Sequence, residues 1–291
     1  MPFPDPGEMA RYGYQLCLPR PFHRGGHGRW MRSWKSTQGS EARNAMADEV
    51  RTALVTGAGS GIGRAIAAAL VQAGYRLAAA DIDEASVGQL AAEFGADLVF
   101  PIRLDVTDKP TVDSLLAVIP ASFQPIDVLV NNAGHDIGGR TRFDIGSADD
   151  WSNIIDTNLA GTMRVTRAIL PQMVARNRGD IVNMSSISAI RLVPDMAAYT
   201  ASKAGIRAFT DVLRGDLAET AIRVTEILPG LTRTNIIRKR HRGDEQVERE
   251  YFERYKVALE PEDIARSVIF ALSQPPHMQI AQMYILPINR W

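Results

Sequence analysis

Thr56-Gly57-Ala58-Gly59-Ser60-Gly61-Ile62-Gly63 stands between an apolar run, Ala53-Leu54-Val55, and a segment near 61–74 whose apolar residues recur with a helical period. Glycines let the backbone turn tightly and approach an anion with no Cβ in the way. The helix that follows offers free N–H groups and the positive end of its dipole to that anion. A Gly-rich turn alone also serves as a plain structural turn. Its place between a strand and a helix is what points to a dinucleotide pyrophosphate. The spacing departs from the common dinucleotide pattern. Counted from Gly57 the sixth place is Ile62, and the glycines fall at 57, 61 and 63. Gly57, Ser60, Gly61, Ile62 and Gly63 are the expected cofactor contacts of this turn.

Outward from the turn, short apolar runs alternate with amphipathic stretches. Strands are predicted at 53–55, 76–80, 98–104, 126–130, 181–184, 223–228 and 279–286. Helices are predicted near 61–74, 84–94, 148–175, 197–219 and 264–272. Strands separated by helices need crossover connections. The fold class is therefore α/β, a single Rossmann-type, doubly wound parallel sheet with helices on both faces. Such sheets bind ligands outside the carboxyl ends of their strands, which places the chemistry in the turns that follow them.

The second strand ends in Ala80-Asp81. A carboxylate there can accept from the adenosine ribose hydroxyls and repels a 2′-phosphate, so NAD is expected in preference to NADP. No basic residue occupies position 60 or 82, although Arg64 and Arg103 are near; Asp81 also suits a plain turn or helix cap before Glu84. Tyr199-Thr200-Ala201-Ser202-Lys203 sets a phenol and an ammonium four residues apart, on one face of a helix. An adjacent cation favours the phenolate, so the pair is expected to lower the phenol pKa and exchange a proton with an alcohol or carbonyl oxygen. A lone Tyr-x-x-x-Lys also suits an amphipathic surface helix. It gains weight from Ser186 just past the fifth strand, whose hydroxyl can hold a substrate oxygen, from Asn131-Asn132-Ala133-Gly134 after the fourth, and from Pro229-Gly230 after the sixth.

These pieces, with Asp105-Val106, Asn158 and Thr234, stand in the order and at the usual spacing of the short-chain dehydrogenase/reductases in their classical form. The sequence resembles that family over about 50–291. The resemblance implies an oxidoreductase that transfers a hydride between NAD(P)(H) and a carbonyl or secondary alcohol. It implies Tyr199 as general acid and base, and Lys203 on the nicotinamide ribose beside it. Ser186 would orient the substrate oxygen, and Asn158 would hold a relay water. Asp105 and Val106 would sit by the adenine, and Asn132, Ala133 and Gly134 would line the cofactor. Pro229, Gly230, Thr232 and Thr234 would meet the nicotinamide end. Ser185 is the neighbour most easily confused with Ser186, and the thirteen-residue interval to Tyr199 selects Ser186. Family members usually form dimers or tetramers, so a homodimer or homotetramer is expected, with the helices at 148–175 and 197–219 meeting across a two-fold.

The chain departs from the family at its end, Ile285-Leu286-Pro287-Ile288-Asn289-Arg290-Trp291, which lacks the common Gly-rich turn and looks more like a subgroup acting on small hydroxy acids or amino-acid alcohols. Between Thr234 and Glu260 lies the expected substrate lid, with Arg238-Lys239-Arg240-His241-Arg242 followed by Glu245, Glu248 and Glu250. That run reads either as a solvated, salt-bridged helix or as an attractor for an anionic substrate, with Arg238 and Arg240 the residues to neutralise. His135, Asp136, Ser188, Arg191, Met196, Tyr251 and Tyr255 are candidates for the pocket wall, His135 as a loop residue rather than a catalyst.

Residues 1–47 read as a flexible extension and 48–291 as the working domain. The extension is rich in proline and carries seven Lys or Arg against three acids before position 46. A transit peptide or nucleic-acid tail has that composition; the favoured reading is an upstream extension, with Met46 opening the working protein. Lys plus Arg and Asp plus Glu both number 33, so net charge gives no general attraction to nucleic acid or membrane. One cysteine, Cys17, excludes an intrachain disulfide and a thiolate zinc site, and no metal is expected. A cytoplasmic location suits that cysteine usage. No apolar run is long enough to span a membrane. The expected partner is a small alcohol or carbonyl. A non-catalytic redox sensor and an epimerase or dehydratase on the same fold are the alternatives.

Overall fold

The computed structural model describes residues 50–288; the extension with Cys17, Trp30 and Trp34, and the final Asn289-Arg290-Trp291, lie outside the described residues. The strands are β1 (Thr52–Thr56), β2 (Arg76–Asp81), β3 (Val99–Arg103), β4 (Ile126–Asn131), β5 (Gly179–Met184), β6 (Ile222–Pro229) and β7 (Gln282–Ile285). They form one sheet in the order β3-β2-β1-β4-β5-β6-β7, parallel throughout. Both faces are covered, which is why β1, β4 and β5 read as apolar runs rather than as alternation.

The longer helices are α1 (Gly61–Gln72), α2 (Glu84–Phe94), α5 (Ala148–Ile155), α6 (Thr162–Arg176), α7 (Ala197–Asp216), α9 (Glu245–Arg254) and α10 (Pro261–Leu272). Three short ones, α3 (Lys109–Asp113), α4 (Leu115–Val118) and α8 (Ile236–Arg240), have too few residues to show a period in the sequence. Successive strand residues divide between two cores. Val55, Val128 and Val130 pack with Ile66, Leu70, Ile264 and Val268 of α1 and α10. Leu54 and Leu129 pack with Val165, Ile169 and Met173 of α6 and Leu213 of α7.

Strand order reverses at β1, whose neighbours are β2 and β4. At such a switch point the turns leaving the two adjacent strands part to opposite faces and open a crevice. Here those turns are the glycine turn after β1 and Asn131–Gly134 after β4. Thr56 Oγ1 ties them together, accepting from the N–H groups of Asn132 and Ala133, both at 3.1 Å.

Two expectations need correction. The helix expected over 148–175 is interrupted by a π-helical turn at Asp156–Gly161, between α5 and α6. It forms where Asn158 turns its amide to the backbone of the neighbouring loop. The final strand, expected over 279–286, is confined to Gln282–Ile285. Gln279 is used otherwise, its Oε1 accepting from Val224 N–H at 2.7 Å.

Candidate active site

A cleft of about 1270 Å³ runs along the carboxyl ends of the strands. Its dinucleotide half is built from glycine. Gly57 and Gly61 have φ of +66° and +53°, the left-handed region where a side chain is strained. A Cβ on Gly57 would stand 2.9 Å from Ala133 Cα, and one on Gly63 would collide with the Gly57 carbonyl oxygen. Gly63 therefore does not line the cleft; it lets α1 pack directly under the turn. Ser60 precedes α1 with extended backbone and makes no side-chain cap. The first N–H groups of α1 thus remain available, and these residues fit a pyrophosphate. Gly57, Ser60, Gly61 and Ile62 line the cleft above them.

Asp81 lines the same half. Its Oδ2 accepts from Gly59 N–H at 2.8 Å and its Oδ1 from Asp83 N–H at 3.0 Å, so the carboxylate holds the glycine turn to the end of β2. Asp105 also lines the cleft, with Oδ1 accepting from the N–H and hydroxyl of Thr107 at 2.9 and 2.7 Å. Val106 sits beside it and packs against Gly161, where a Cβ would lie 2.6 Å from Val106 Cγ2. Asn132, Ala133 and Gly134 form the wall opposite α1. Asn132 Nδ2 donates to the carbonyls of Thr56 and Gly57, both at 3.1 Å. Pro229, Gly230, Thr232 and Thr234 close the cleft beyond β6. Thr232 donates its hydroxyl to Gly230 O at 3.1 Å, and Thr234 faces Gly61, where a Cβ would lie 3.3 Å from it.

The second half is built on α7. Tyr199 and Lys203 share its inner face, with the Lys203 Nζ 5.7 Å from the Tyr199 ring centre. Lys203 is buried and donates to Met184 O at 2.9 Å. Ser186 lines the same wall as Tyr199, its Oγ accepting from Ser188 N–H at 3.1 Å. Ser185 points elsewhere, donating to Lys203 O at 3.1 Å. Asn158 is fully buried behind the cleft wall. Its Oδ1 accepts from His135 N–H at 2.9 Å, and its Nδ2 donates to His135 O and Ser202 Oγ at 3.0 and 3.1 Å. A Cβ on Gly134 would lie 2.9 Å from Asn158 Oδ1 and 3.7 Å from Lys203 Nζ, so both side chains converge on that glycine.

Electrostatics correct one expectation. Burial, then the Asp136 carboxylate, pushes the Tyr199 phenol up to about 12, while the nearby Ser186 hydroxyl and Arg240 oppose that rise. Burial pulls Lys203 down to about 8, with Asp136 opposing. In the chain alone burial and the Asp136 carboxylate thus make the phenol less acidic than a free tyrosine, while the Lys203 ammonium is turned to the Met184 carbonyl.

The lid run separates residue by residue. Arg238 pairs with Glu245 at 3.1 Å and Glu248 at 3.8 Å, and Arg242 with Asp150 at 2.6 Å. Arg240 is buried against Asp136. Lys239 alone of the run is exposed and lines the cleft, with Arg140 and Arg191. His135, Ser188, Met196, Tyr251 and Tyr255 also line it; Asp136 lies behind the wall, fully buried. The sequence reading passed over Arg140 and the Asp136–Arg240 pair. A glycine pair flanked by charges, Asp136-Ile137-Gly138-Gly139-Arg140, was the available signal.

A family model described as short chain dehydrogenase matches residues 51–245. The chain belongs to that family. This short-chain dehydrogenase is 33% identical to an oxidoreductase of Staphylococcus aureus over 82% of its own length and 97% of the other's. It is 35% identical to a probable NADP-dependent dehydrogenase of Haemophilus influenzae, over 81% and 93% of the two chains. The closed form of serine dehydrogenase complexed with NADP+ superposes with a TM-score of 0.80 at 36% identity, covering 82% of this chain and 96% of that one. NADP is the cofactor in both of those descriptions, so the expected preference for NAD finds no support among them.

Proposed function

We propose that this short-chain dehydrogenase transfers a hydride between a nicotinamide dinucleotide and a secondary alcohol or its carbonyl, with Ser186, Tyr199, Lys203 and Asn158 as its site. The reading is carried by one observation. Ser186 and Tyr199 line one stretch of the cleft wall, with the Lys203 ammonium beside the Tyr199 ring and the glycine cradle along the same cleft. When bound, an oxidised nicotinamide ring supplies the hydride acceptor and a positive charge near the phenol. The residues of the chain do the rest. Ser186 and Tyr199 hold one substrate oxygen between them. Tyr199 takes the alcohol proton in the oxidative direction and returns it in the reductive one. Lys203 holds a positive charge below the phenol and can reach ribose hydroxyls. Asn158 braces the π-turn and the His135 backbone, and the second lone pair of its Oδ1 is left for the relay water.

The substrate is inferred to carry a carboxylate, as a small hydroxy acid does. Arg140, Arg191 and Lys239 line the cleft with no ion-pair partner among the described residues, and Asp150, the carboxylate lining that end, is matched by Arg242. The likeness to serine dehydrogenase supports the same class. Cofactor choice rests on opposed observations: the Asp81 carboxylate supports NAD, and the relatives' descriptions support NADP. A homo-oligomer is proposed, with the helices at 148–175 and 197–219 meeting across a two-fold, where Met163 and Val174 of α6 and Val212 of α7 are left exposed; it is read by sedimentation.

The test is oxidation of hydroxy acids with NAD+ and NADP+ in parallel, for wild type and Tyr199→Phe. The variant is expected to bind the preferred dinucleotide with unchanged Kd and to lose about 10²–10⁴-fold in kcat. Wild-type turnover that survives in the variant would remove Tyr199 from its role.

A further inference from the structure

The loop after β4 buries a carboxylate that the proposed hydride transfer does not use. Asp136 is fully buried, and its Oδ2 accepts from Arg240 Nε at 2.7 Å, across 104 residues of chain. Arg240 ends α8 and is itself 7% exposed. The backbone doubles the link, Gly138 N–H donating to Arg240 O at 3.1 Å. Asp136 Oδ1 is buried with no hydrogen-bond partner. The loop leaves it no room to turn: Gly138 has φ +70°, and a Cβ on Gly139 would collide with Oδ1. A buried ion pair adds little stability over a packed apolar pair, so stability alone is a weak reason for this one.

We propose that Asp136 is a positioning residue that clamps Arg240, seating α8 over the substrate end of the cleft, and that it sets a negative charge behind the Tyr199–Lys203 pair. The second half of this proposal rests on the reading of Tyr199 as the acid–base group. The charges around that group come from several elements. Asp136 comes from the β4 loop, two residues beyond Gly134, where a Cβ would lie 3.7 Å from Lys203 Nζ; Arg240 comes from α8, the Ser186 hydroxyl from the β5 loop and Lys203 from α7 itself. Asp136 in turn feels Arg240, Arg140 and Lys203. The carboxylate disfavours the phenolate and favours the ammonium. Its removal makes the phenol easier to deprotonate, and the unmatched Arg240 acts in the same direction.

The experiment is Asp136→Asn in the full chain, read two ways. In alcohol oxidation the midpoint of the rise of kcat/KM with pH is expected to move down by about one unit. Amide hydrogen exchange across 236–254 is expected to accelerate about tenfold as the clamp opens. Should the single variant fail to fold because Arg240 is left buried without a counter-charge, Asp136→Asn with Arg240→Met replaces both charges. It is expected to shift the midpoint the same way but less, because Asp136 acts on Tyr199 more strongly than Arg240 does. Arg238→Gln, whose partners lie within the lid, is expected to leave the midpoint in place. A midpoint unmoved in a folded Asp136 variant overturns the charge role, and unchanged exchange overturns the clamp. If wild type oxidises no alcohol at any pH, the Tyr199 reading fails, while the exchange measurement still decides the clamp.

Discussion

The two halves of the cleft solve the same problem with opposite materials. The dinucleotide half is backbone. Its contacts are N–H groups and carbonyls brought close by glycines, and its charged wall groups, Asp81 and Asp105, are themselves held by the N–H groups of Gly59, Asp83 and Thr107. The substrate half is side chain. It is lined or backed by Arg140, Asp150, Arg191, Lys239, Arg240 and the buried Asp136, and its lid is hung on ion pairs. A backbone cradle is rigid and tolerates no added atom. A charge-lined wall can be retuned one residue at a time, which suits the part of an enzyme that recognises what varies between substrates.

The largest effect expected from this contrast comes from adding one methyl group to each half. Gly63→Ala drives a Cβ into the Gly57 carbonyl, a backbone atom with nowhere to go. Dinucleotide Kd is expected to rise about 100-fold, equivalent to about 2.7 kcal/mol, by fluorescence titration. Gly139→Ala meets the carboxylate of Asp136, a side chain held by Arg240. It is expected to leave that Kd within about twofold while raising KM for the alcohol. Equal damage to Kd from both variants would erase the distinction between a backbone half and a side-chain half.

A middle-sized effect sharpens the cost of placing charge in the second half. Lys203 is buried and held at about 8, against 10.5 for a free lysine. A base whose folded value is depressed destabilises the fold wherever it is protonated. That penalty is complete below pH 8, fades between pH 8 and 10.5 and is gone above, where both states are neutral. The shift corresponds to about 3 kcal/mol. Lys203→Met removes it but strands the Met184 carbonyl, which costs about 1–2 kcal/mol. The variant is therefore expected to be about 1–2 kcal/mol more stable at pH 7 in urea unfolding, with the advantage lost by pH 10.5. A variant less stable at pH 7 would show that Lys203 sits more comfortably than its burial implies.

The contrast also explains what could be read in the sequence. Backbone-built features leave local signatures. The parallel sheet follows from strand and helix periods, α2 falls on the expected 84–94, and the glycine turn declares itself within eight residues. Features built by side chains across long separations do not. Asp136 and Arg240 carry no mark of one another at a distance of 104 residues. The π-turn is nearly as silent: Asp156–Gly161 is poor in helix formers, but that composition does not say where a helix widens, and only the bonds of Asn158 to His135 show why it does so there. The run Arg238–Arg242 looked like one basic feature. A helix points successive residues in different directions, so α8 and the turn after it send Arg238 to Glu245, Lys239 to the cleft, Arg240 to Asp136 and Arg242 to Asp150.

That dispersal moves the smallest prediction to different residues. Neutralising Arg238 disturbs pairs inside the lid, and neutralising Arg240 unseats it, so neither isolates attraction of an anionic substrate. Lys239 and Arg191 do, being exposed at the cleft without an ion-pair partner among the described residues. Exposed charges act through water and are screened over about 8 Å at physiological salt, so each is worth well under 1 kcal/mol on a passing carboxylate. Lys239→Gln with Arg191→Gln is expected to lower kcat/KM for a hydroxy acid about three- to tenfold at low salt and to flatten its fall with added salt. Turnover of an uncharged alcohol of similar size is expected to change less than twofold. A salt slope that is the same in the variant and the wild type would mean that these cations only solvate the rim, and that the substrate half recognises shape rather than charge.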